Sequence, residues 1–116
     1  MKMSVLPINY IEFVSGDFGA SRSFFENAFG WRFTDYGHDY VGIEDAGLDG
    51  GIARAQSGHK EPLVILFADD LDAAEASVRR AGGEITREQY DFPGGRRFHF
   101  REPGGNELAV WARTKA

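Results

Sequence analysis

Tyr10-Ile11-Glu12-Phe13-Val14-Ser15-Gly16-Asp17 and, 53 residues later, Leu63-Val64-Ile65-Leu66-Phe67-Ala68-Asp69-Asp70 are the stretches whose reading decides the fold. Each is a short run of β-branched and aromatic residues, as strands prefer. Each ends in an aspartate placed to cap a helix, because its carboxylate accepts from backbone N–H groups that the first turn leaves without partners. After Asp17 a helix is expected to about Phe29, with Phe18, Phe25, Ala28 and Phe29 on one face and Gly30 as the stop. After Asp70 a second helix is expected, with Leu71, Ala74, Val78 and Ala81 on its face and Gly82-Gly83 ending it.

Working outward, three short strands follow each helix. In the first half they are 31–36, 40–44 and 51–55, punctuated by Gly37, Gly47 and Gly50. In the second they are 84–88, 96–101 and 106–112. The polar run Ser57-Gly58-His59-Lys60-Glu61-Pro62 reads as the linker. The order strand–helix–strand–strand–strand thus occurs twice, over about residues 8–56 and 62–113, as a repeat of architecture with few identities. Two copies are too few for a solenoid.

The chain has 116 residues, enough for one domain with a real core. There is no Cys, which excludes disulfides, zinc–thiolate sites, iron–sulfur clusters and thiol nucleophiles. The net charge is −5 and no basic run exists, so no nucleic-acid partner is expected. No apolar stretch approaches the roughly 18 residues of a membrane span, and Met1 to Pro7 lacks the apolar centre of a secretion signal. The expected address is the cytoplasm.

The ordered segments Tyr10-Ile11-Glu12-Phe13, Asp17 through Phe24-Phe25 to Phe29-Gly30-Trp31, Asp69 to Ala74, Ala81-Gly82-Gly83, and Arg97-Phe98-His99-Phe100-Arg101-Glu102-Pro103-Gly104-Gly105-Asn106-Glu107-Leu108 resemble the vicinal oxygen chelate superfamily. That superfamily includes glyoxalases, bleomycin resistance proteins and extradiol dioxygenases. The closing run is similar to its "DPxGN" turn, with Glu102 where Asp is usual. The resemblance covers nearly the whole chain and implies an α+β fold. Its two βαβββ modules would form a U-shaped eight-stranded mixed sheet, with helices on the convex face and a small-molecule ligand in the concavity. It also implies a homodimer, for which Trp31, Phe33 and the Tyr36–Tyr40 turn would supply aromatic surface.

In the enzymes of that superfamily, His, Glu or Gln side chains from the first strand of each module and from the last strands hold one divalent metal. Carried over, these positions fall on Tyr10, Leu63 and Ala109, with a fourth near Ala53 to Gln56. Leu63 and Ala109 have no lone pair to give, so neither a metal nor another cofactor is expected. His38 in a turn and His59 in the linker read as solvated residues.

Strand alternation sorts the remaining candidates. Ile11 and Phe13, Val41 and Ile43, Val64 and Leu66, Phe98 and Phe100, and Leu108 and Val110 should face the helices. Tyr10, Glu12, Tyr40, Glu44, Leu63, Ile65, Phe67, Arg97, His99, Arg101, Glu107, Ala109 and Trp111 should line the concave side. Apolar walls with a few polar groups suit a binding pocket, and Tyr10, Glu12, Leu63, Ile65, Arg97, His99 and Trp111 are its expected ligand-binding residues. Glu44, Glu107 and Arg101 fit cross-strand pairs at the rim equally well. His99 reads either as a functional group or as a wall residue. The segment Gln89 to Gly95 reads as a loop over the cavity mouth. The expected function is metal-free small-molecule binding. The alternative is an enzyme: a metal-dependent lyase or dioxygenase, or a cofactor-free isomerase with Glu12 or His99 as catalytic base.

Overall fold

A computed structural model describes residues 5–55 and 61–114. The linker residues from Gln56 to Lys60, including His59, lie outside the described residues. The class is α+β, with eight strands in mixed pairing and two helices. The chain divides into two compact units. The first comprises residues 10–63; the second joins the segment up to Asn9 to residues from Val64 onward.

The first unit carries most of β1 (Ile8–Ser15), then α1 (Phe18–Phe29), β2 (Arg32–Asp35), β3 (Tyr40–Glu44) and β4 (Gly50–Arg54). Its strand order is β2-β3-β4-β1, with β1 parallel to β4 and the other pairs antiparallel. The second carries all but the first residue of β5 (Leu63–Phe67), then α2 (Leu71–Arg80), β6 (Glu84–Phe92), β7 (Gly95–Arg101) and β8 (Glu107–Arg113). Its order β6-β7-β8-β5 repeats that plan, with β5 parallel to β8. Both helix caps form as expected. The Ala20 amide donates to Asp17 Oδ1, and the Ala73 amide to Asp70 Oδ1, each at 3.0 Å.

Each unit packs its helix on one sheet face. In the first, Val41, Ile43 and Ile52 are buried, with Phe13, Phe18, Phe25, Trp31 and Phe33 against them. In the second, Leu71 and Ala74 of α2 meet Phe98, Phe100 and Val110, with Leu66, Leu108 and Val78 alongside. Phe98 and Val110 are 0% exposed. Truncating a buried Phe such as Phe98 costs about 3–5 kcal/mol.

Several expectations need correction. Ala28 is exposed, and Phe29 is 59% exposed, its ring meeting those of Phe24, Phe25 and Trp31 rather than the buried core. Ala81 is the exposed C-cap of α2 rather than part of its apolar face. Trp31 and Phe33 turn inward to the core, leaving Phe24, Phe29 and Tyr36 as the exposed aromatic residues. The largest difference is β6, which continues through Gln89, Tyr90, Asp91 and Phe92. The expected loop is only a two-residue turn, in which Pro93 presets φ and Gly94 takes φ 99°.

The turn between β7 and β8 explains how Glu102 serves where Asp is usual. Its carboxylate accepts from the amides of Gly104 (2.7 Å) and Asn106 (3.0 Å) and from Asn106 Nδ2 (2.6 Å). Those donors hold the carboxyl below the usual glutamate range, the Gly104 amide most of all. A depressed folded-state pKa gives stability that is present above the unfolded value, about 4.3. It is lost as pH falls through the folded value. Carboxyl-detected NMR should therefore show Glu102 titrating below the other exposed glutamates, and Glu102→Gln should abolish that part of the acid dependence. A normal Glu102 titration would contradict the turn geometry.

Candidate functional site

The face of each unit away from its helix carries the polar candidates. In the first unit, Glu12, Gly51, Gly42 and Thr34 form one row across β1, β4, β3 and β2. The two glycines leave room for aromatic rings to lie on the backbone. A Cβ on Gly51 would fall 2.1 Å from the Tyr40 hydroxyl oxygen, and one on Gly42 2.7 Å from the Tyr36 ring. Tyr40 thereby reaches Tyr10, with the hydroxyl oxygens 2.5 Å apart, and hydrogen-bonds the Glu12 carboxylate. Burial, the Glu12 charge and Tyr10 together hold the Tyr40 phenol above its ordinary range, so it stays protonated and donates. Alternation thus placed Tyr10, Glu12 and Tyr40 together correctly, and Glu12 shares its charge with a phenol. Glu44 accepts from Thr34 at the exposed rim, which is the cross-strand reading of that residue.

In the second unit the helix-free face holds the rows Phe67–Trp111–Arg97–Tyr90 and Ile65–Ala109–His99–Arg87. Tyr90, expected with Phe92 in a loop over the cavity mouth, is instead a residue of β6 on this face. β6 pairs Ile85 with Phe100, Arg87 with His99 and Tyr90 with Arg97, so it carries one extra residue in each interval, a bulge each time. Without the second bulge Gln89 would face Arg97. With it, Gln89 turns to the helix side, where Nε2 donates to Asp72 (2.8 Å) and Glu75 (2.9 Å) of α2. Tyr90 takes the helix-free side. No composition signal announces a bulge; the two-residue turn at Pro93-Gly94 was the available clue that β6 runs on to Phe92.

Around Tyr90 the donors and acceptors form a directed chain. Arg97 Nε can only donate, so the Tyr90 oxygen accepts from it. The Tyr90 hydroxyl also hydrogen-bonds His99 Nε2, at 2.8 Å. His99 Nδ1 faces Glu107 Oε2 at 3.7 Å, a carboxylate that favours the tautomer with its proton on Nδ1, and Glu107 accepts from Thr86 Oγ1 at 2.9 Å. His99 is only 8% exposed, a burial that requires such partners. Beside this chain Trp111 is pinned by its indole N–H, which donates to Asn9 Oδ1 at 3.1 Å. Phe67 meets it edge-on at 5.0 Å and Phe92 lies 6.0 Å away. Leu63 and Ile65 are each 2% exposed. Arg101 reaches Glu84 at 3.6 Å, again a rim pair.

The metal positions implied by resemblance do not fit a metal. Leu63 and Ala109 are apolar and buried, and the Tyr10 hydroxyl is engaged by Tyr40; Gln56, the residue of the fourth position able to donate, lies outside the described residues. Among the described residues no group of three or more His, Asp or Glu side chains converges to hold an ion. His38 is an exposed turn residue, and its carbonyl accepts from Arg54.

Replacing Tyr90 with Phe removes both the Arg97 acceptor and the His99 donor. The expected cost is about 1–3 kcal/mol, because a buried ring nitrogen loses its partner. Nitrogen-detected NMR of the imidazole should show the Nδ1–H tautomer of His99 in the native chain and a changed pattern in Tyr90→Phe. An Nε2–H tautomer in the native chain would reverse the direction of the chain.

Residues 7–110 match the Glyoxalase/Bleomycin resistance protein/Dioxygenase superfamily. The anthracycline biosynthesis protein DnrV of Streptomyces peucetius is 32% identical over 119 residues, covering 84% of this chain and 43% of its own length. DauV of Streptomyces sp. (strain C5), also named for anthracycline biosynthesis, is 30% identical, covering 89% and 40%. This chain therefore spans less than half the length of the curated relatives it matches. The Mn(II)-bound glyoxalase from Novosphingobium aromaticivorans is 25% identical with a TM-score of 0.66, over 94% of this chain and 42% of that one. Methylmalonyl-CoA epimerase from Mycobacterium tuberculosis has a TM-score of 0.76 at 11% identity, over 99% and 93%, a likeness of fold alone. With its repeated βαβββ plan and a match over nearly its whole length, the chain belongs to the Glyoxalase/Bleomycin resistance protein/Dioxygenase superfamily.

Proposed function

We propose that this chain is a metal-free small-molecule binding protein of the superfamily, holding a planar aromatic ligand on the helix-free face of the second unit. The observation that carries this reading is the fixed Trp111 indole, flanked by Phe67 and Phe92 and bordered by the polar chain of Arg97, Tyr90 and His99. Aromatic walls with a few oriented polar groups suit a flat ligand that carries oxygen substituents. The donor chemistry at Leu63 and Ala109 supports binding without a metal. The two curated relatives are named for anthracycline biosynthesis, and an anthracycline is a planar aromatic compound. The same reading includes a homodimer in the cytoplasm, with the exposed rings of Phe24 and Phe29 as contact surface. No helix among the described residues is long and apolar enough to cross a membrane.

A second reading, a cofactor-free isomerase, draws on one observation. His99 is oriented by Glu107 at Nδ1 and by Tyr90 at Nε2, the arrangement of a positioned base. Its Nε2 already accepts from Tyr90, however, so a substrate would have to displace that hydroxyl. Glu12, the other candidate base, is engaged by Tyr40.

Equilibrium dialysis with 1,8-dihydroxyanthraquinone tests the binding reading. The expected result is saturable binding, equal in EDTA and in Mn(II), and weakened about tenfold or more in a folded Trp111→Leu variant. Binding that requires the metal, or that ignores Trp111→Leu, would contradict it.

A further inference from the structure

Most arginines of this acidic chain are matched. Arg22, Arg32, Arg54, Arg79, Arg96 and Arg101 each lie within 3.6 Å of a carboxylate oxygen. Arg87 and Arg113 are the exceptions of interest. Both are exposed, and among the described residues neither has a carboxylate partner. Each rests instead on an aromatic ring of the helix-free face. The Arg87 guanidinium carbon is 3.6 Å from the centroid of Tyr90, and that of Arg113 is 5.4 Å from both Phe67 and Trp111.

This placement has a chemical consequence. A guanidinium on a ring face is held by the ring's quadrupole while its N–H groups radiate in its own plane. Those groups remain able to grip a carboxylate, which Arg binds through two parallel hydrogen bonds, or to donate to the single oxygen of a phenolate. The rings beneath fix where the cations sit, so little side-chain freedom is lost when an anion arrives. Trp111 and Arg113 share a face by alternation along β8, and Arg87 stands opposite His99 across the pair β6–β7. Two unmatched cations thus border one aromatic strip in a chain whose net charge is −5.

We propose that this strip selects planar aromatic anions, with Arg87 and Arg113 as the specificity-determining cations and Trp111 as the stacking surface. The inference rests on the binding reading above and names the ligand's charge and class, an aromatic carboxylate or phenolate.

Two probes of the same shape separate the charge from the ring: 3-hydroxy-2-naphthoate and the uncharged 3-hydroxy-2-naphthamide. Isothermal titration at low salt should find the naphthoate bound at least fivefold more tightly. The preference should shrink as NaCl is raised, because exposed charges are screened. In the double variant Arg87→Gln/Arg113→Gln the two probes should bind alike, and in Arg87→Lys/Arg113→Lys part of the preference should return. Thermal melting of both variants checks that the fold is kept. Equal binding of the two probes to the native chain would overturn charge selection while leaving aromatic binding intact. A preference that survives the Gln variant would overturn the assignment to these two arginines. Failure of both probes to bind would count against the binding reading itself, and this inference would fall with it.

Discussion

The second unit's polar face depends on two extra residues in β6. A regular strand has a side-chain period of two, so one inserted residue exchanges the faces of everything beyond it. Here the exchange sends Gln89 to the carboxylates of α2 and brings Tyr90 against His99 and Arg97. Removing the second bulge would leave His99 buried with no Tyr90 to donate to Nε2. It would also leave Arg97 without the oxygen it now serves. The bulge is therefore a packing feature with a chemical result: it brings the Tyr90 hydroxyl to His99 Nε2, on the side of the imidazole away from Glu107.

The two units solve the same architectural problem with different chemistry. Their strand orders and aspartate caps correspond closely. Their helix-free faces do not. The first uses Gly42 and Gly51 as floor for Tyr36 and Tyr40, and matches Glu12 with a phenol held in its protonated form. The second uses large rings, an imidazole and arginines. Where the superfamily's metalloenzymes need His, Glu or Gln, this chain has Leu63 and Ala109, and their burial is that of wall residues.

Much of this was legible in the order of residues because it follows from local rules. Asp17 and Asp70 signalled helix starts through a hydrogen bond that spans three residues. Alternation in β1, β3, β7 and β8 separated Phe13, Val41, Phe98 and Val110 from Tyr10, Tyr40, His99 and Trp111. What escaped depends on distant partners. Ala28, Phe29 and Ala81 keep helical periodicity, yet all three end exposed at the helix C-termini. The facing of Tyr90 depends on a bulge, and a bulge is fixed by what α2 and β7 offer across the gap. The matched and unmatched arginines could not be told apart either, since pairs such as Arg22–Asp35 and Arg101–Glu84 join different elements.

The most direct measurement is an amide and indole NMR titration of the native chain with 1,8-dihydroxyanthraquinone. If the helix-free face of the second unit is the functional surface, the Trp111 indole N–H and the amides of Arg97, His99 and Tyr90 move first and saturate together. Shifts confined to the opposite side, in the depression lined by Asp72, Glu75, Arg79 and Arg96 between α2 and β6, would contradict that assignment.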